Sequence, residues 1–155
     1  MKNAYLQAWF GRLDAAIQKA QAAAQGDHEL ESFLASYLVV LISGAYEDCV
    51  EYLLAERAAK ANDPELRNYV EVTLNRSFRN PKFERIMEIL SCFSSRYAEE
   101  LEKRIDGSTR EAMNSIVNNR LSLSHGKAAT VTLGDVQGYH ERAKPIFDAL
   151  EEILG

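Results

Sequence analysis

Leu30, Phe33, Leu34, Tyr37, Leu38, Leu41, Ile42, Ala45 and Cys49 recur at helical spacing, and from Tyr37 to Ile42 every residue is apolar. A helix with that pattern is expected to be buried on most sides. It therefore reads as the central helix of a bundle, and the chain must supply other helices to cover it. Its longest uncharged run, Ser32 to Tyr46, is shorter than the roughly 20 residues that cross a bilayer. No membrane partner is expected.

The remaining sequence supplies those helices. Only three prolines occur, and two follow residues that cap helices well. Asp63-Pro64-Glu65 and Asn80-Pro81-Lys82 each read as a cap followed by Pro at the first helical position. Ser108-Thr109-Arg110-Glu111 has the form of a capping box. Gly26, Gly107 and Gly126 stand where helices should stop. The expected helices cover residues 3–25, 27–61, 64–78, 81–105, 109–124 and 133–154. The last carries Val136, Tyr139, Ala143, Ile146, Phe147, Leu150 and Ile153 on one stripe, with a kink or break expected at Pro145. Ala129 to Thr132 reads as an extended connection into a Thr132 cap. The expected fold class is an all-α bundle of five or six helices. At 155 residues the chain suits one domain over residues 1–155.

The formal net charge of −5 argues against broad, non-specific coating of DNA, which needs many unopposed cations. It leaves room for a small local phosphate site. Cys49 and Cys92 have no metal-ligand spacing and read as buried free thiols in a reducing cytoplasm. The N-terminal residues lack the apolar core of a secretion signal. His28 has no visible partner, and His140, on or beside the apolar stripe of the last helix, reads as a structural, hydrogen-bonded histidine. Three scattered histidines and two distant cysteines predict no metal site. The lack of a glycine-rich phosphate loop predicts no nucleotide cofactor.

Chemistry concentrates in the run Asn118-Asn119-Arg120-Leu121-Ser122-Leu123-Ser124-His125-Gly126. Arginine holds phosphate in a fixed fork of hydrogen bonds. Histidine titrates near neutral pH and can take a proton from a ribose 2′-hydroxyl. On a regular helix a five-residue step leaves the two side chains about 140° apart. They converge if the helix unwinds near Ser124, or if a second copy brings its own pair. Glu47, one turn after Ser43, is a candidate to orient either of them. Arg76, Arg79, Lys82 and Arg85 recur every third residue, interleaved with Phe78 and Phe83, as in single-strand binding surfaces. Lys127 extends the basic character past the histidine.

The run RLSLSHG, an R-x4-H-G motif near the end of a helix, resembles the HEPN superfamily, in particular its RiboL-PSP-HEPN and MAE-type branch. The segment Leu41-Ile42-Ser43-Gly44-Ala45-Tyr46-Glu47 and the final amphipathic helix resemble the same branch, so that the likeness runs from about Leu30 to Leu154. It implies a metal-independent endoribonuclease working as a homodimer, often a toxin or anti-phage effector, with RNA as substrate. An antitoxin or other regulatory protein is a further partner that it implies. Arg120 and His125 match the motif arginine and histidine. Many members carry Asn, Asp or His directly after the arginine, where this chain has Leu121. Asn119 or Asn118 is the candidate replacement for that polar group. The alternative is a catalytically weak HEPN-like adaptor that dimerises and binds a partner.

Overall fold

Capping side chains set where most of the helices begin. The computed structural model describes residues 1–127 and 130–155. Asn3 caps α1 (Ala4–Ala23), Asp27 caps α2 (His28–Ala59) and Asp63 caps α3 (Pro64–Ser77). Each side chain accepts from backbone N–H groups of the first turn, which have no partner inside the helix. α4 (Phe83–Phe93), α5 (Ser95–Arg104), α6 (Gly107–Ser124) and α7 (Leu133–Leu154) complete the fold. Thr132 and Asp135 form a reciprocal capping box at the start of α7.

The described residues hold seven helices and no strand, rather than five or six helices. The expected helix 81–105 is divided at Ser94, whose backbone is extended at φ −169° and ψ 129°. Serine competes poorly for a helix interior. The break lets α4 pack against α6 while α5 packs against α7. Asn80 is not the cap of α4. Lys82 holds that position without a side-chain bond, and the Phe83 N–H donates instead to Asn114 Oδ1 on α6 at 2.9 Å. Nor does Ser108 cap α6. Asp106 does, accepting from the Thr109 N–H and the Ser108 hydroxyl, each at 2.8 Å. Those bonds hold the Asp106 carboxyl below its ordinary range, the Thr109 N–H first. Gly107 accordingly begins a helix instead of ending one. α7 runs unbroken through Pro145. The ring leaves the Glu141 carbonyl without its usual donor, but both residues face solvent, where water can take over. Ala129, the first residue of the expected connection, lies outside the described residues.

α2 is the central helix, packed against α1, α3, α6 and α7. Leu38, Val39, Ile42, Tyr46, Cys49 and Leu54 are buried, and burial pushes the Cys49 thiol up to about 12. By length and composition α2 could cross a membrane, and half of its most apolar window is buried inside the fold. The expected near-complete burial of Tyr37 to Ile42 is not observed. Phe33, Tyr37 and Val40 are 70%, 56% and 48% exposed, because no other helix among the described residues covers that side. Cys92 is also exposed, contrary to expectation.

His140 of α7 is fully buried between α1 and α2. Nδ1 lies 3.0 Å from the Tyr46 hydroxyl and Nε2 lies 3.1 Å from Asp14 Oδ1. Phe10 stacks on the ring at 5.3 Å between centroids. Lys144 bridges Asp14 and Glu141. Burial is the main cause that lowers the His140 pKa. Lys144 adds to it, and Asp14 and Glu141 oppose it. The unfolded chain therefore takes up this proton before the folded chain does. Stability should be complete above about pH 6.5 and fall as the pH drops below it, by up to about 1.4 kcal/mol per pH unit. Urea titrations across roughly pH 7 to 5 should show that slope, and His140→Gln should flatten it.

Candidate functional site

Arg120 and Glu47 meet between α6 and α2. Arg120 Nη1 lies 3.8 Å from Glu47 Oε2, an ion pair without hydrogen-bond contact. Its hydrogen bond goes elsewhere, to Asn80 Oδ1 at 2.8 Å. Asn80 sits in the α3–α4 loop at φ +57°, and its own N–H donates to Glu47 Oε2 at 3.1 Å. The other Glu47 oxygen faces Arg79 Nη1 at 3.3 Å. A carboxylate 14% exposed thus lies between two guanidiniums, of which Arg120 is 31% exposed. Glu51 joins from the next turn of α2, 3.3 Å from Arg79 Nη1. Partial burial raises the Glu51 pKa, and Arg79 acts against that rise.

Arg79, read as RNA-binding, also closes the end of α3. Nη1 donates to the Phe78 carbonyl at 2.6 Å and Nη2 donates to the Asn75 carbonyl. A cation there complements the negative end of the helix. Arg85 donates to Glu88 at 2.6 Å and to the Ser77 carbonyl at 3.0 Å. Arg76 is exposed in the last turn of α3, and Lys82 stands half-buried before α4. Among the described residues no hydrogen bond or ion pair joins these four to Arg120, and Arg79 alone shares a carboxylate, Glu47, with it. Lys127 is exposed one residue past Gly126. The Asn119 amide donates to the Ser115 carbonyl of its own helix at 2.8 Å, and Asn118 is exposed.

His125 is the residue at which α6 stops. The Gly126 N–H bonds to the Leu123 carbonyl and the Lys127 N–H to the Ser122 carbonyl, both at 3.0 Å. This paired closure needs a left-handed residue, and Gly126 supplies it at φ +71°. α6 therefore stays regular through Ser124, without the unwinding that would bring the two side chains together on one chain. The His125 ring is exposed, and no hydrogen bond or ion pair joins it to Arg120 or to any other described residue. Neither residue lines the apolar groove of about 870 Å³ that contains Leu66, Tyr69, Ile89 and Phe93. The candidate site consists of the partly exposed Arg120 and the exposed His125.

The RiboL-PSP-HEPN family model matches residues 12–155, which takes in Glu47, Asn80, Arg120 and His125. The chain belongs to the RiboL-PSP-HEPN family. Neither a curated protein nor a solved structure matches it. Membership of this HEPN-type family is compatible with endoribonuclease activity, and the family also includes inactive members. The motif pair of this RiboL-PSP-HEPN chain is separated by a regular helix, with Arg120 tied inward and His125 facing solvent. Sequence reasoning missed Asn80, which it took for a helix cap. The usable signal was the proline after it, because Pro81 disfavours the right-handed helical region for the preceding residue and asparagine tolerates the left-handed one.

The closure at Gly126 sets where His125 stands. Gly126→Ala should destabilise the protein by about 1 kcal/mol, because an alanine is strained at positive φ, while Gly126→Asn should cost less. Comparing urea midpoints for the two variants checks this.

Proposed function

We propose that this protein is a metal-independent endoribonuclease acting as a homodimer in the cytoplasm, a toxin or anti-phage effector held in check by a partner protein. The observation that carries the reading is a partly exposed guanidinium, pinned by Asn80 and Glu47, in the same motif as a solvent-facing histidine. His125 takes the proton of a ribose 2′-hydroxyl. The 2′-oxygen then bonds to phosphorus while the bond to the 5′-oxygen breaks, and that oxygen takes up a proton from solvent. Arg120 stabilises the charge that grows on the phosphate. The products are a 2′,3′-cyclic phosphate and a 5′-hydroxyl. RNA approaches from solvent, with Arg76, Lys82 and Lys127 as candidate backbone contacts.

Two features support a shared site. Arg120 and His125 diverge along a regular helix, and a second copy would bring such a pair together. The uncovered side of α2 offers a seam for that chain. Phe33, Tyr37, Val40, Gly44 and Glu47 fall within a sector of about 80° on an ideal helix, so the apolar stripe leads to the carboxylate beside Arg120. A side chain at Gly44 would meet nothing within 4 Å, so the seam is open there. A two-fold axis along it doubles the set of catalytic groups.

One observation favours the second reading, an inactive adaptor. Leu121 is a half-buried apolar residue where many family members have a polar one, and the Asn119 amide is occupied within its own helix.

Cleavage of cellular RNA in the presence of EDTA separates the two. The wild type should cleave, and His125→Ala should lose about 10²–10⁴-fold of the rate. Equal rates would remove His125 from the mechanism. Arg120→Lys keeps the charge but not the planar fork, and should lose on the order of 10²-fold. Mixing Arg120→Ala with His125→Ala under subunit exchange should restore part of the activity if the pair acts in trans. A mixture as inactive as its components would place each site within one chain.

The seam has its own test. Tyr37→Asp puts a charge in the middle of the exposed stripe. Sedimentation should show the variant shifting from dimer to monomer, and its specific activity should fall with it. A monomeric wild type would refute the shared site.

A further inference from the structure

Among the described residues, Asn80 makes the one hydrogen bond from the α3–α4 loop to the motif arginine, and its backbone is unusual. It stands at φ +57° directly before Pro81, and its carbonyl accepts from the Lys82 N–H at 2.7 Å. Pro81 disfavours the right-handed alternative, and asparagine is among the residues that best tolerate the left-handed one. The loop around it is held on both sides. Arg79 ties the residues before it to the end of α3, and Asn114 of α6 holds the Phe83 N–H. The Asn80 N–H is tied to Glu47 on α2. Its side-chain oxygen is thereby held at a defined point beside α6, where Arg120 Nη1 finds it at 2.8 Å.

We propose that Asn80 is the positioning residue for Arg120: by accepting from Nη1 it turns the guanidinium so that the opposite Nε–Nη2 edge is presented outward, as a two-pronged donor for a phosphate. A guanidinium has five N–H donors in one plane, so a single fixed acceptor on Nη1 decides which edge remains. Among the described residues, Nε and Nη2 of Arg120 have no hydrogen-bond partner. Glu47, 3.8 Å from Nη1, balances the charge on the inner side without occupying the outer edge. A forked pair of donors suits phosphate better than a point charge does. Asn80 itself touches no substrate in this arrangement. The proposal rests on the reading of Arg120 as the phosphate-binding group.

Asn80→Gly tests it, because glycine keeps the left-handed backbone and the N–H bond to Glu47 but removes the acceptor. Two readouts are needed. The first is kinetic. Asn80→Gly should slow RNA cleavage by about 10- to 100-fold, the range expected for one hydrogen bond to a charged group. In an Arg120→Ala background it should change the rate less than about 2-fold, since there is nothing left to position. The second readout needs no activity: the nitrogen-15 NMR signal of the Arg120 side chain. Its guanidinium protons should be protected from exchange in the wild type, exposed in Asn80→Gly and protected again in Asn80→Asp, which retains an acceptor oxygen. Unchanged protection in Asn80→Gly would overturn the proposal, as would an equal rate loss with and without Arg120. If the wild type fails to cleave RNA but the protection pattern holds, the ribonuclease reading fails and the positioning role stands.

Discussion

The architecture depends on burying one side of α2. Its Leu38, Val39, Ile42, Tyr46 and Leu54 meet side chains from α1, α6 and α7. Burial of such side chains contributes on the order of 1.5–3 kcal/mol each before the entropy of ordering them is counted. The packing of α6 and α7 against α2 also brings the motif arginine to the flank of α2. Glu47 belongs to the same helix that forms the core, so the electrostatic partner of Arg120 is as firmly placed as the core is. Because α1, α3, α6 and α7 leave one side of α2 uncovered, the same packing that builds the core also creates the exposed stripe.

Polar order is concentrated where helices end. Asp27, Asp63, Asp106 and Thr132 take up first-turn N–H groups, and Arg79 and Gly126 close the last turns of α3 and α6. Two of these terminal devices lie against the candidate site. The one at α3 leads directly into Asn80, and the one at α6 contains His125. The site is thus built from chain ends that are held by hydrogen bonds, on a scaffold that is held by apolar packing. The buried His140–Tyr46–Asp14 group belongs to the scaffold. It ties α7 to α2 and α1.

The sequence made the helical class legible because apolar spacing and local caps both depend on residues a few positions apart. Asp63, Thr132 and Gly126 work as their local patterns suggest. The misses share a different cause. Asn80-Pro81 has the local form of a helix start, but its backbone is bent left-handed and its bonds reach α2 and α6. Ser94 interrupts a pattern whose apolar spacing continues through it, because α4 and α5 pack against different partners. Phe33, Tyr37 and Val40 looked like core because hydrophobicity reports a need for cover, not which surface provides it. For the candidate site, the sequence offered Glu47 as a partner for either Arg120 or His125 and did not choose between them. The loop that orients the arginine was not legible, since it lies 40 positions away in the chain.

The α6 terminus has a further consequence for His125. Its main chain is fixed by the closure at Gly126, while its ring meets no described partner. Backbone order at that residue is therefore already present in the isolated chain, and side-chain freedom is not yet spent. Whatever arrests the ring must offset only rotamer entropy, of the order of 1 kcal/mol, instead of ordering a whole segment. The histidine can therefore be recruited with little rearrangement of the fold, and released as easily.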